Sequence, residues 1–108
     1  MEYRKVVAII RSRLLEEVEE RLKRIGVKGM SVTHVKGFGE YKNVLPQDWF
    51  TTHIRIEIFA EKSKADKIAI SIMEGAHTGG PGDGIICTLS VEKIYRIRTK
   101  SEAKTEDI

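Results

Sequence analysis

With 108 residues, the chain is sized for one domain with a real core and is too short for two. Its net charge of +3 comes from 19 basic and 16 acidic side chains mixed along the sequence, which leaves no basic stripe of the kind that tracks nucleic acid. The single cysteine, Cys87, excludes an internal disulfide and a multi-cysteine metal site. No apolar run approaches the roughly 20 residues that span a bilayer, so a cytoplasmic protein without membrane insertion is expected.

The chain opens on a buried strand over residues 3–10, carried by Val6, Val7, Ile9 and Ile10. Leu14, Leu15, Val18, Leu22 and Ile25 then recur at helical spacing, with Ser12 as N-cap and Gly26 as the stop. Residues 30–38 are β-rich and end at Gly37-Phe38-Gly39. Residues 40–52 are polar, contain Pro46 and read as a loop, inside which Trp49 and Phe50 stand out. Two such rings either tuck against the protein or anchor a partner. A half-buried strand follows over residues 51–60, where Ile54, Ile56 and Ile58 alternate with Arg55 and Glu57. Ser63 and Asp66 suggest a capping box before a helix with Ile68, Ala69, Ile72 and Met73 on one face, ending near Gly75. Ile85–Val91 is the next strand, and residues 92–99 continue extended or through a short turn. The domain is placed at residues 1–99, with 100–108 as a polar, mobile tail.

Two βαβ-like halves point to an α+β, ferredoxin-like βαββαβ sandwich, with a four-stranded antiparallel sheet and two helices on one face. Val7 beside Ile9 and Ile86 beside Cys87 suggest a sheet apolar on both sides, and such a sheet needs a partner on its open face.

The stretch His77-Thr78-Gly79-Gly80-Pro81-Gly82-Asp83-Gly84 cannot be the interior of a helix or strand. Its glycines expose backbone N–H groups in a nest suited to phosphate oxygens. On a strand, Arg96 and Arg98 would send both guanidinium groups to one face, within reach of one polyanion. The same residues also suit a tight turn before a strand, with two arginines solvating a sheet face. His34, His53 and His77 lack the spacing of a zinc site.

The run Gly26-Val27-Lys28-Gly29-Met30-Ser31-Val32-Thr33-His34-Val35-Lys36-Gly37-Phe38-Gly39 resembles the first signature of the PII signal-transduction proteins. Thr78-Gly79 with Gly82-Asp83-Gly84, followed by Arg96-Ile97-Arg98-Thr99, resembles their second. The likeness covers nearly the whole chain, and it implies a homotrimer that binds ADP or ATP, with AMP as a further candidate, in clefts between subunits. It further implies that Gly82, Asp83, Gly84, Thr78 and Gly79 wrap the phosphates while Arg96 and Arg98 neutralise them. Gly37, Phe38 and Gly39 would line the cleft, with Ile9, Ser31 and Glu57 around base and ribose. A loop at residues 40–52, with Tyr41, Trp49 and Phe50, would dock onto a transporter, enzyme or regulator. The chain would then be a regulator and not an enzyme.

Three positions depart from the family pattern. Ile85 stands where a lysine usually follows Gly-Asp-Gly, His53 takes the place of a second phosphate-side lysine, and Tyr41 replaces the glutamine that helps hold magnesium. By this resemblance the loop is also about five residues shorter than the family's usual one. Fewer ammonium groups weaken the case for a triphosphate and leave magnesium open. They keep alive a related sensor of bicarbonate or a cyclic nucleotide. A ferredoxin-like RNA-binding domain is a third reading, which needs aromatic side chains on the central strands.

Overall fold

The computed structural model describes residues 2–36 and 53–108, and the elements follow the hydrophobic periodicity closely. Strand β1 (Tyr3–Arg11) leads through a 3₁₀ turn (Ser12–Leu14) into helix α1 (Leu15–Arg24). After them come β2 (Ser31–Val35), β3 (His53–Glu61), helix α2 (Lys62–Ala76) and β4 (Ile85–Val91). The four strands form one antiparallel sheet in the order β2-β3-β1-β4. β1 and β3 are central, paired along their whole length from Tyr3↔Glu61 to Arg11↔His53. This is the expected ferredoxin-like arrangement.

Period-two burial assigns the two faces of the sheet. Val6, Ala8 and Ile10 of β1 and Ile54, Ile56, Ile58 and Ala60 of β3 point towards the helices, where they meet Val18, Leu22, Ile68 and Ile72 in the core. Burying a side chain such as Leu22, 1% exposed, is worth roughly 1.5–3 kcal/mol. The polar face of α1 carries the i,i+4 pairs Glu17–Arg21 (2.9 Å), Glu19–Lys23 (3.3 Å) and Glu20–Arg24 (3.6 Å). The helix stops at Gly26 as expected. At φ +90° Gly26 donates its N–H to the Lys23 carbonyl, while the Val27 N–H reaches back to Leu22.

The opposite face carries Lys5, Val7 and Ile9 of β1, Arg55, Glu57 and Phe59 of β3, and Ile85, Cys87 and Leu89 of β4. Phe59, Ile85 and Leu89 are each about half exposed, so this face is apolar with nothing from the described chain upon it. The sheet is therefore apolar on both sides, as its sequence suggests.

Both expected N-caps need correction. Ser12 lies inside the 3₁₀ turn, behind Arg11 as the cap, and α2 begins at Lys62 behind Glu61, so the Ser63–Asp66 pair falls within the helix; neither capping residue makes a side-chain cap bond. The 3₁₀ turn and α2 each follow a strand with no intervening loop, so the extended last strand residue, Arg11 or Glu61, serves as the cap, and α1 continues from the turn behind Leu14. The tail is also corrected. Residues 100–108 fold back on the body: β5 (Tyr95–Arg96) pairs with β6 (Ser101–Glu102), Ala103 is buried, and a 3₁₀ turn spans Thr105–Asp107. Local polarity concealed this because the contacts are made largely by backbone groups. The Ala103 N–H donates to the Ile94 carbonyl (2.8 Å) and the Tyr3 hydroxyl to the Ala103 carbonyl (3.4 Å).

Candidate functional site

The loop joining α2 to β4 folds inward around its own aspartate. The Asp83 carboxylate accepts hydrogen bonds from the N–H groups of Thr78 (2.9 Å) and Gly79 (2.8 Å), from the Thr78 hydroxyl and from the Arg11 guanidinium. Arg11 also donates to the Thr78 hydroxyl (3.2 Å) and the Pro81 carbonyl (2.6 Å). Donors aimed at the ionised form, the Thr78 hydroxyl and N–H foremost, hold the Asp83 carboxyl well below the usual range. His53, buried beneath the loop, donates from Nε2 to the Gly82 carbonyl at 2.8 Å, which places its proton on Nε2. Gly79, Gly82 and Gly84 take φ of +87°, +94° and +108°. At Gly84 a Cβ would stand 1.8 Å from the Ile9 carbonyl oxygen, so this turn is pressed against β1.

The nest is thus narrower than the residue pattern suggests. The amides of Thr78 and Gly79 are spent on Asp83, and that of Gly80 donates to the Thr78 hydroxyl at 3.1 Å. Gly82–Gly84 is the part of the loop that the Asp83 carboxylate does not draw inward. Sequence reasoning overlooked Arg11. It is a strand-end arginine whose partner lies 72 residues away, and nothing local to it signals the contact.

A cavity of about 710 Å³ lies at the other end of the molecule. It opens where the β2–β3 pairing stops at Ser31↔Glu57 and leaves the end of β3 paired with β1 on its other side alone. Ser31 and Glu57, register partners, line it together with Arg96. Glu57 is itself held between Lys5 and Arg55, at 3.2 Å from each. Arg96 donates to the Asp107 carbonyl at 3.1 Å, and Lys28 to the Glu106 carbonyl at 2.6 Å.

The expected site residues fall into two groups. Thr78, Gly79, Gly82, Asp83, Gly84, His53 and the Ile9 backbone gather at the Arg11 end of β1; Ser31, Glu57 and Arg96 gather at the cavity. Arg98 joins neither group. β5 ends at Arg96, and Arg98 sits exposed in the turn that follows, so the two arginines do not share a strand face. Gly37, Phe38, Gly39, Tyr41, Trp49 and Phe50 lie outside the described residues. Among the described residues no three His, Cys, Asp or Glu side chains converge to hold a metal, and no helix is long and apolar enough to cross a membrane.

Comparison with known proteins matches this arrangement to one family. The family model described as "Nitrogen regulatory protein P-II" matches residues 3–101. The chain belongs to the P-II family. It is 38% identical over 103 residues to the nitrogen regulatory protein P-II of Azospirillum brasilense, covering 89% of this chain and 92% of that one. Identity to P-II 1 of Escherichia coli strain K12 is 36% over 106 residues, covering 92% and 95%. The crystal structure of Arabidopsis thaliana PII bound to citrate superposes with a TM-score of 0.80 at 33% identity, covering 94% of this chain and 86% of that one. P-II proteins are regulatory signalling proteins and not enzymes, and they respond to small effector ligands. The RNA-binding alternative has little to stand on here. Phe59, with the Lys5 ammonium 5.9 Å from its ring centre, is the one exposed aromatic ring on the central strands among the described residues, where base stacking uses two or three.

Proposed function

We propose that this P-II protein senses an adenine nucleotide, ADP or ATP with AMP as a further candidate, held between copies of the chain in a homotrimer. It would pass the signal to a protein partner (a transporter, enzyme or regulator) through residues 40–52. The observation carrying this reading is the separation of the two residue groups. Gly84 packs against Ile9 of β1, whereas the cavity that Arg96 lines reaches Phe59, Ala60 and Glu61, the partners of Lys5, Arg4 and Tyr3 towards the start of that strand. A small ligand that meets both the Gly82–Gly84 turn and Arg96 is read as bridging two chains. The open sheet face supports the same conclusion, because half-exposed Phe59, Ile85 and Leu89 beside Val7 gain stability only when a second copy covers them.

The nucleotide fits the chemistry of the two halves. Backbone N–H groups at Gly82–Gly84 suit phosphate oxygens, and Arg96 would supply a charge-assisted contact from the neighbouring chain. Ser31 and Glu57 would meet base and ribose. Few cations stand at the turn, which favours ligands with fewer charges than ATP. Ile85 follows Gly84, the His53 ring proton is spent on Gly82, and Arg11 is offset by Asp83. That balance also supports a second reading, in which the effector is a cyclic nucleotide or bicarbonate.

Calorimetry with Arg96→Ala tests the proposal. Loss of one charge-assisted contact, about 1.5–3 kcal/mol, should weaken ADP and ATP binding by about ten- to a hundredfold. Trp49 fluorescence should change in the wild type as nucleotide saturates. Unchanged affinity in the variant would refute the nucleotide reading, and a flat Trp49 signal with binding confirmed would refute the role of residues 40–52.

A further inference from the structure

The turn at residues 105–108 sits against the cavity, and the cavity's own cations hold it there. Upstream the chain is firmly anchored. Ala103 is buried and bonded through its N–H to Ile94 and through its carbonyl to the Tyr3 hydroxyl. Beyond that anchor the turn closes on itself, with the Lys104 N–H donating to Asp107 Oδ2 (2.9 Å) and the Asp107 N–H to the Lys104 carbonyl (2.9 Å). Lys28 donates to the Glu106 carbonyl and Arg96 to the Asp107 carbonyl, which ties the turn to the cavity wall.

We propose that residues 105–108 are a tethered competitor that occupies the ligand-binding side of the cavity and gives way when an anionic ligand takes Arg96. This rests on the reading above that Arg96 meets the nucleotide. Three features argue for exchange over permanent packing. The strap is held through neutral carbonyl acceptors, and a phosphate oxygen makes a charge-assisted bond about twice as strong with the same guanidinium. Glu106 and Asp107 both line the cavity and add negative charge to its wall, which repels an arriving anion. The anchor at Ala103 precedes the turn, so release of residues 105–108 does not require unfolding β5 and β6. While the strap is seated, the apparent affinity for ligand is reduced by the fraction of molecules in which it is open.

Asp107→Ala removes the oxygen that closes the turn and one negative charge, and it leaves the donors on Arg96 and Lys28 in place. The variant should bind ADP two- to tenfold more tightly with unchanged oligomeric state. Hydrogen exchange at the Asp107 and Ile108 amides should speed up when ADP saturates the wild type. It should also speed up in Arg96→Ala without any nucleotide, because the strap has then lost its tie to Arg96 and keeps the one from Lys28. Unchanged or weaker ADP binding in Asp107→Ala overturns the competitor, as does unaltered exchange in nucleotide-free Arg96→Ala. If Arg96→Ala frees the strap and leaves ADP affinity intact, the nucleotide reading fails separately.

Discussion

Replacing Gly84 by alanine tests the close approach of this turn to the β1 backbone. The new Cβ would sit 1.8 Å from the Ile9 carbonyl oxygen and 2.8 Å from its carbonyl carbon, both backbone atoms of a central strand. Neither can rotate away, so the start of β4 must lift off β1 or the turn must be rebuilt. Gly26→Ala is the matched control. Gly26 also has a left-handed φ, +90° against +108°, but has nothing within 4 Å of the added atom. The conformational penalty of about 1–2 kcal/mol is common to both variants. The clash adds the cost of overpacking, typically about 1–3 kcal/mol. Urea denaturation at fixed protomer concentration should therefore place Gly84→Ala at least about 1 kcal/mol below Gly26→Ala. In a thermal melt this corresponds to roughly 4–8 °C for a domain of this size. Gly84→Ala should also lose nucleotide affinity, since the turn shifts, whereas Gly26→Ala should not lose that turn. Equal stability of the two variants would show that the approach of Gly84 to β1 does not constrain the fold.

Two further outcomes are expected. Asp83 is held well below its ordinary value of 3.8, so its contribution to stability is complete above that pH, falls as the solution becomes more acidic than 3.8 and the unfolded chain takes up the proton, and is gone once the folded carboxyl is itself protonated. The Thr78 and Gly79 amide resonances should accordingly show no inflection near pH 4, and an inflection there would mean that the carboxylate does not hold the loop. Leu89→Arg places a charge on the open sheet face opposite Lys5, where no carboxylate stands directly across. The lone chain tolerates it because Leu89 is already 46% exposed, but an assembly burying that face must desolvate it at a cost of several kcal/mol. Sedimentation at micromolar concentration should show dissociation, and an unchanged species would place the subunit contact elsewhere.

Much of the architecture could be read along the chain, because helix and strand periodicity are properties of the local backbone. The alternation of Ile54, Ile56 and Ile58, the spacing of Val18 and Leu22, and the stop at Gly26 all appear in the fold at their expected places. The two signatures likewise located the residues of interest and the family. Their grouping was not legible. A repeat of glycines shows that a turn exists, but which of its amides remain available depends on Asp83, whose bonds draw Thr78 and Gly79 inward. The part played by Arg11 depends on the β1–β3–β4 neighbourhood, which brings it to Asp83 across 72 residues. Arg96 and Arg98, adjacent in the motif, part company because β5 ends between them. The register of β1 with β3 then sets the Gly84 turn against Ile9 and the Arg96 cavity against Phe59, Ala60 and Glu61, further towards the start of β1. Local sequence specifies dihedral angles and which side of an element is apolar, whereas distances between side chains far apart in the chain arise only when the sheet is assembled.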